Sequence, residues 1–179
     1  MEIGLTTEGG YPTRRLTWAD AEQIARWCYP APYDIYDSAP PDASRELLAA
    51  TAAYYADPIH NYFAVDDEAG DLLGFGCLGP EAQVPGYDYA QTQALDIGFG
   101  MRPDRVGGGR GQAFLSAVLA HAQAVDQPTV FRTTVAIVNQ RSARTFLRAG
   151  FVRVAFFRSQ TARPNDFDVY TRSVAVIRP

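Results

Sequence analysis

Met101-Arg102-Pro103-Asp104-Arg105-Val106-Gly107-Gly108-Gly109-Arg110-Gly111 carries four glycines in five residues between two segments of opposite character. Upstream, Ala94-Leu95-Asp96-Ile97-Gly98-Phe99-Gly100-Met101 reads as a strand, and its two glycines point to a bulge or to the close approach of another backbone or ligand. Downstream, Phe114, Leu115, Val118, Leu119 and Ala122 repeat at helical spacing. A glycine run at a strand-to-helix junction lets the backbone approach a ligand closely. The helix start behind it offers unpaired N–H groups and a positive dipole end, which suits a pyrophosphate. The same run also serves as a tight turn for helix–strand packing alone. It does not fit G-x-G-x-x-G: Gln112 stands three residues after Gly109 and Phe114 three after Gly111.

Composition narrows the chemistry further. The chain has 179 residues, 47% hydrophobic and 20% charged, with a net charge of -4. This is globular composition, and one domain over residues 1–179 is expected. All 16 basic residues are Arg. Without Lys there is no Schiff-base chemistry, no lysine-anchored pyridoxal phosphate and no Walker-type P-loop. A mildly acidic chain without a basic block is a poor fit to nucleic acid. Cys28 and Cys77 are the only thiols and His60 and His121 the only imidazoles, with no metal-ligand spacing, so no metal is expected. Cys77 and Cys28 read as small core residues, His60 as structural and His121 as a surface or flank residue. No apolar run approaches the ~20 residues of a membrane span, and Met1–Leu5 resembles no leader. A cytoplasmic protein is the expectation.

Working outward, Arg14-Arg15-Leu16 enters a first strand. Thr17 caps a helix whose apolar face is Ala21, Ile24, Ala25 and Cys28. Four prolines between Tyr29 and Pro41 forbid a regular helix there. A second helix is expected from Ala43 to Tyr55. Tyr62–Val65 and Leu72–Leu78 read as antiparallel strands about a turn at 66–70. Thr129–Val138 is a β-branched strand. Asn139 opens a helix with Ala143, Phe146 and Leu147 inward, ended by Gly150, and Phe151–Phe157 and Asp166–Val174 close the chain as a strand pair. The order β-α-α-β-β-β-α-β-α-β-β is a mixed α/β sheet rather than a doubly wound parallel one.

The glycine stretch resembles the acetyl-CoA loop of the GNAT superfamily of N-acetyltransferases, Gln/Arg-x-x-Gly-x-Gly/Ala after a strand and a Pro. Gly109 and Gly111 match its small positions, and Val106 stands where Gln or Arg is usual. Asn139-Gln140-Arg141-Ser142-Ala143-Arg144-Thr145-Phe146-Leu147-Arg148-Ala149-Gly150-Phe151 is similar to the family's second motif, with Phe146 in place of its Tyr. The resemblance implies a mostly antiparallel sheet whose central parallel pair, Leu95–Met101 and Thr129–Val138, splays apart, flanked by helices. It implies acetyl-CoA as acyl donor, with pantetheine along Phe99, Gly100 and Met101. The pyrophosphate would lie on Gly107, Gly108, Gly109, Arg110 and Gly111, with further cofactor contacts from Val106, Asn139 and Phe146.

The implied reaction is attack of a primary amine on the thioester. Asp96, an acid within the strand beside the cofactor, is the candidate base, or else an anchor for a loop. Thr134 stands where some relatives carry a Glu. Ser142 is the candidate substitute for the hydroxyl missing at Phe146, or else a helix-packing residue. Trp27, Tyr29, Tyr33 and Tyr36 either line the pocket of the acceptor or pack on the sheet. The acceptor is a small-molecule or peptide amine, and the protein a monomer or homodimer. The alternative function is a non-catalytic CoA or acyl-CoA-binding sensor or interaction domain.

Overall fold

The computed structural model describes residues 10–174; the absence of a leader at Met1–Leu5 lies outside them. The described elements are β1 (Thr13–Arg15), α1 (Trp18–Ile24), α2 (Arg45–Ala56), β2 (Tyr62–Asp66), β3 (Leu72–Leu78), β4 (Leu95–Met101), α3 (Gly111–Asp126), β5 (Val130–Ala136), α4 (Gln140–Arg148), β6 (Val152–Arg158) and β7 (Asp166–Ser173). The strands form one seven-stranded sheet in the order β1-β2-β3-β4-β5-β7-β6. Every neighbouring pair is antiparallel except β4–β5. The mixed sheet expected from the element order is observed, and it is mostly antiparallel with one parallel pair, as the resemblance implies.

Strand alternation sorts the helices onto two faces. Phe63 and Val65 of β2 point to the core that α3 covers with Phe114, Leu115 and Val118. Ala64, between them, points to the opposite face, where it meets Ile24 and Trp27. Burying Phe114 alone contributes about 1.5–3 kcal/mol. The helix starts follow their caps. Thr17 accepts the Asp20 N–H, and the Asp20 carboxylate accepts the Thr17 N–H in return. Ser44 accepts from Leu47 N–H, so α2 begins at Arg45 rather than at Ala43.

Several expectations need correction. α1 ends at Ile24, so Cys28 lies beyond it and is exposed. Leu147 is 49% exposed, because α4 turns only Ala143 and Phe146 inward. β5 stops at Ala136, leaving Ile137 and Val138 exposed. Between the prolines, Tyr33–Tyr36 makes a short 3-10 turn. His121 is not a flank residue: it stacks on Phe63 at 3.8 Å and bonds the Thr13 hydroxyl at 3.0 Å. Burial lowers its pKa. His60 stacks on Tyr54 at 3.7 Å, and both share the Glu81 carboxylate. Cys77 is buried, which pushes its thiol up to about 12.

Candidate active site

The two central strands pair for only two residues. Leu95 faces Phe131 and Asp96 faces Arg132, after which β4 and β5 part. The hydrogen-bond phase of each strand shows what lies along the gap. Arg102 N–H donates to Leu73 C=O at 2.9 Å, in the same register that opposes Met101 to Gly74. Antiparallel bonding alternates, so Gly98 and Gly100 spend their backbone groups on β3, whereas those of Phe99 and Met101 face the gap. Likewise Ile137 N–H donates to Asp166 C=O. Thr133 and Val135 therefore bond toward β7, and Thr134 and Ala136 present their backbone groups to the gap. Of the three residues expected along an extended amide chain, Phe99 and Met101 have edge groups to offer, and Gly100 does not.

The glycines of β4 mark close approach rather than a bulge. A Cβ on Gly100 would lie 2.6 Å from the Phe75 ring, and one on Gly98 would lie 3.0 Å from Cys77 Sγ. Phe75 in turn meets Tyr55 at 5.3 Å and Tyr62 at 5.7 Å. These tyrosines, with Ser38, Ala50, Thr51 and Tyr54, line a cavity of about 400 Å³.

Asp96 sits at the fork, 3% exposed, with both oxygens engaged. Arg132 Nε donates to Oδ1 at 2.5 Å and Nη2 to Oδ2 at 2.8 Å, and Gln83 Nε2 donates to Oδ2 at 2.7 Å. Arg132 is itself 2% exposed. Its remaining donors reach the carbonyls of Tyr89 and Thr92 at 3.0 and 3.1 Å, and it lies over the Tyr89 ring. A carboxylate held this way is paired and takes three donors, a geometry that fits an anchor. Sequence reasoning missed Arg132 and Gln83. The available signal was a lone Arg in a β-branched strand facing a lone acid in its neighbour.

Past the end of β4, Gly107, Gly108 and Gly109 adopt φ of 99°, 61° and 79° in succession. Only glycine takes three such angles in a row without strain. The turn delivers the chain to α3, whose first N–H groups have no intrahelical acceptor. Gly111 allows α3 to approach α4: a Cβ there would stand 3.1 Å from Thr145 Oγ1. Gln112 Nε2 donates to the Thr145 carbonyl at 2.9 Å and pins the two helix starts together. Val106 is half-buried against the core, and Arg110, beside Gly108, makes no ion pair among the described residues.

The residues of the second motif take the helix-opening, inward and helix-packing places that the sequence allows them. Phe146 is 2% exposed and packs on Phe99 at 5.5 Å and Phe151 at 5.0 Å, so its ring belongs to the core under β4. Asn139 uses its Oδ1 to cap α4, accepting from Ser142 N–H at 3.1 Å. Ser142 is half-buried in the first turn of that helix.

The aromatic loop spans the gap. Trp27 is buried and stacks on Phe75. The Tyr29 hydroxyl donates to Met101 C=O at 2.9 Å, on the β4 edge. Ala136 N–H, on the β5 edge, donates to the Tyr36 hydroxyl at 3.2 Å. Tyr33 carries Arg141 of α4 over its ring at 4.2 Å. Thus Trp27 packs on the sheet, while Tyr29 and Tyr36 take opposite sides of the opening.

Comparison with known proteins places this architecture. The family model "Acetyltransferase (GNAT) domain" matches residues 13–152. No curated protein matches the chain in sequence. Among solved structures, the acetyltransferase (GNAT family) from Bacillus anthracis is similar with a TM-score of 0.69 at 15% identity, over 97% of this chain and 98% of that one. Spermidine N-acetyltransferase from Vibrio cholerae, solved with CoA and spermine, is similar with a TM-score of 0.64 at 16% identity, over 90% and 94% of the two chains. The yncA protein of Salmonella typhimurium, solved with its cofactor acetyl-CoA, is similar with a TM-score of 0.62 at 17% identity, over 93% and 95%. With a match that covers most of its length and a forked sheet of the same architecture, the chain belongs to the acetyltransferase (GNAT) domain family.

Proposed function

We propose that the protein transfers an acetyl group from acetyl-CoA to a primary amine by direct attack on the thioester. The observation that carries this reading is the gap itself: a parallel pair that parts after two residues and leaves Phe99 and Met101 with edge groups for an extended amide chain. The turn Gly107–Gly109 and the start of α3 fit a pyrophosphate beside it, with Arg110 as a nearby cation. Acetyl-CoA supplies the activated acyl group. The protein's part is to hold the fork open, align the amide arm on β4 and exclude water with the aromatic loop.

In this reading Asp96 keeps Arg132 and the fork in place, and the amine loses its proton to solvent. The acceptor enters from the face that carries α1 and α2, past Phe75 and the tyrosine-lined cavity. Spermidine, an acceptor named for a structural neighbour, is one amine to test, beside amino-acid and peptide amines. A monomer or homodimer acting in the cytoplasm fits the reading, and among the described residues no helix is long and apolar enough to cross a membrane. The buried, hydroxyl-free Phe146 and the engaged Asp96 favour a second reading, a non-catalytic acyl-CoA binder. Assay of thiol release across a panel of amines separates the two. Turnover with at least one amine is expected, and saturable acetyl-CoA binding without turnover on any amine would establish the binder instead.

A further inference from the structure

We infer that Tyr36 supplies the proton to the departing CoA thiolate. The inference rests on acetyl transfer in the β4–β5 gap, and it follows from accounting for protons there. When the amine nitrogen bonds to the acyl carbon and the carbon–sulfur bond breaks, the electron pair of that bond stays on sulfur. A proton donor beside the sulfur makes that departure easier. Phe146 has no hydroxyl and is packed into the core. The Tyr29 proton is committed to the Met101 carbonyl. The Tyr89 hydroxyl is occupied by the Val84 backbone and the Thr134 hydroxyl.

Tyr36 is different because its oxygen receives hydrogen bonds. Ala136 N–H donates to it at 3.2 Å from the β5 edge that faces the gap, and the Asn139 side chain lies against the same oxygen. Asn139 Oδ1 is already taken by Ser142 N–H, so the amide group it can turn to Tyr36 is its Nδ2 donor. With its oxygen accepting from Ala136 N–H, the phenol keeps its own O–H free to donate onward, and that N–H stabilises the phenolate left after transfer. Although 38% of the residue is exposed, its hydroxyl end is inside, and burial holds the phenol protonated well above neutral pH. The proton goes from Tyr36 to sulfur, and the phenolate regains one from solvent, which has received the amine's proton. The net products are the amide and the free thiol.

The test pairs Tyr36→Phe with two acyl donors, acetyl-CoA and its selenoester analogue, whose selenolate leaves without protonation. With acetyl-CoA the variant is expected to lose about 100-fold in kcat with KM for the donor little changed, the lower end of general acid–base effects. With the selenoester most of that loss should disappear. Normal turnover of Tyr36→Phe with acetyl-CoA, or an equal loss with both donors, overturns the assignment and leaves acetyl transfer standing. A donor-dependent loss in Ser142→Ala with Tyr36→Phe fully active gives the proton to Ser142 instead. If the wild-type protein turns over no amine, the proposed function fails and this inference fails with it.

Discussion

Asp96 lies buried at the fork and is paired with Arg132. An acid inside a strand stands out in the sequence. Its partner 36 positions away does not, because a cross-strand ion pair leaves no local pattern. Arg132→Met would strand a buried carboxylate, and is expected to cost about 3–5 kcal/mol in urea unfolding. Replacing Asp96 and Arg132 together by apolar residues should cost clearly less than the single change. Asp96→Asn, assayed where the variant is folded, should keep turnover within about tenfold of wild type; a 100-fold loss without a change in fold would restore Asp96 as the base. His121 gives a pH test with a defined sign. Burial depresses its folded pKa below the unfolded ~6.5, so its contribution to stability is full above ~6.5 and is lost as pH falls toward the folded value. His121→Phe, which keeps a ring against Phe63, should therefore weaken the loss of stability between pH 7.5 and 5. An unchanged slope would show that His121 does not titrate in this way.

Among the elements, those with strong end signals were legible and those made by tertiary contact were not. Thr17 and Asn139 announce α1 and α4, and Gly150, with φ of 85°, ends the latter. Asn139→Ala should cost about 1 kcal/mol, the usual worth of such a cap, measured by thermal unfolding. The short 3-10 turn at Tyr33–Tyr36 escaped notice because its rings are placed by β5 and α4 rather than by helical spacing. In the proposed function, donor binding depends on the turn before α3. Gly109→Val forces a β-branched residue to a φ of 79°, where nothing but the backbone opposes it, since no atom lies within 4 Å of the new Cβ. Its expected effects are a strain of about 1–3 kcal/mol and a loss of acetyl-CoA affinity of more than tenfold by calorimetry. Wild-type affinity in the folded variant would remove the pyrophosphate from this turn.

For the molecule as a whole, the order of elements along the chain followed from the alternation of hydrophobic runs and turns, but the fork could not. A fork is a set of hydrogen bonds not made, and no residue type encodes it; it entered the sequence reading only through resemblance. In the structure it is held from both ends, by the Asp96–Arg132 pair where the strands meet and by Tyr29 and Tyr36 where they part. Amide hydrogen exchange with and without saturating acetyl-CoA tests directly whether this gap receives the donor. Slowed exchange is predicted at Phe99 and Met101 and across residues 107–113, with little change on β1 and β2. Unchanged exchange at Phe99, Met101 and the glycine turn, with saturable binding or protection elsewhere, would contradict it.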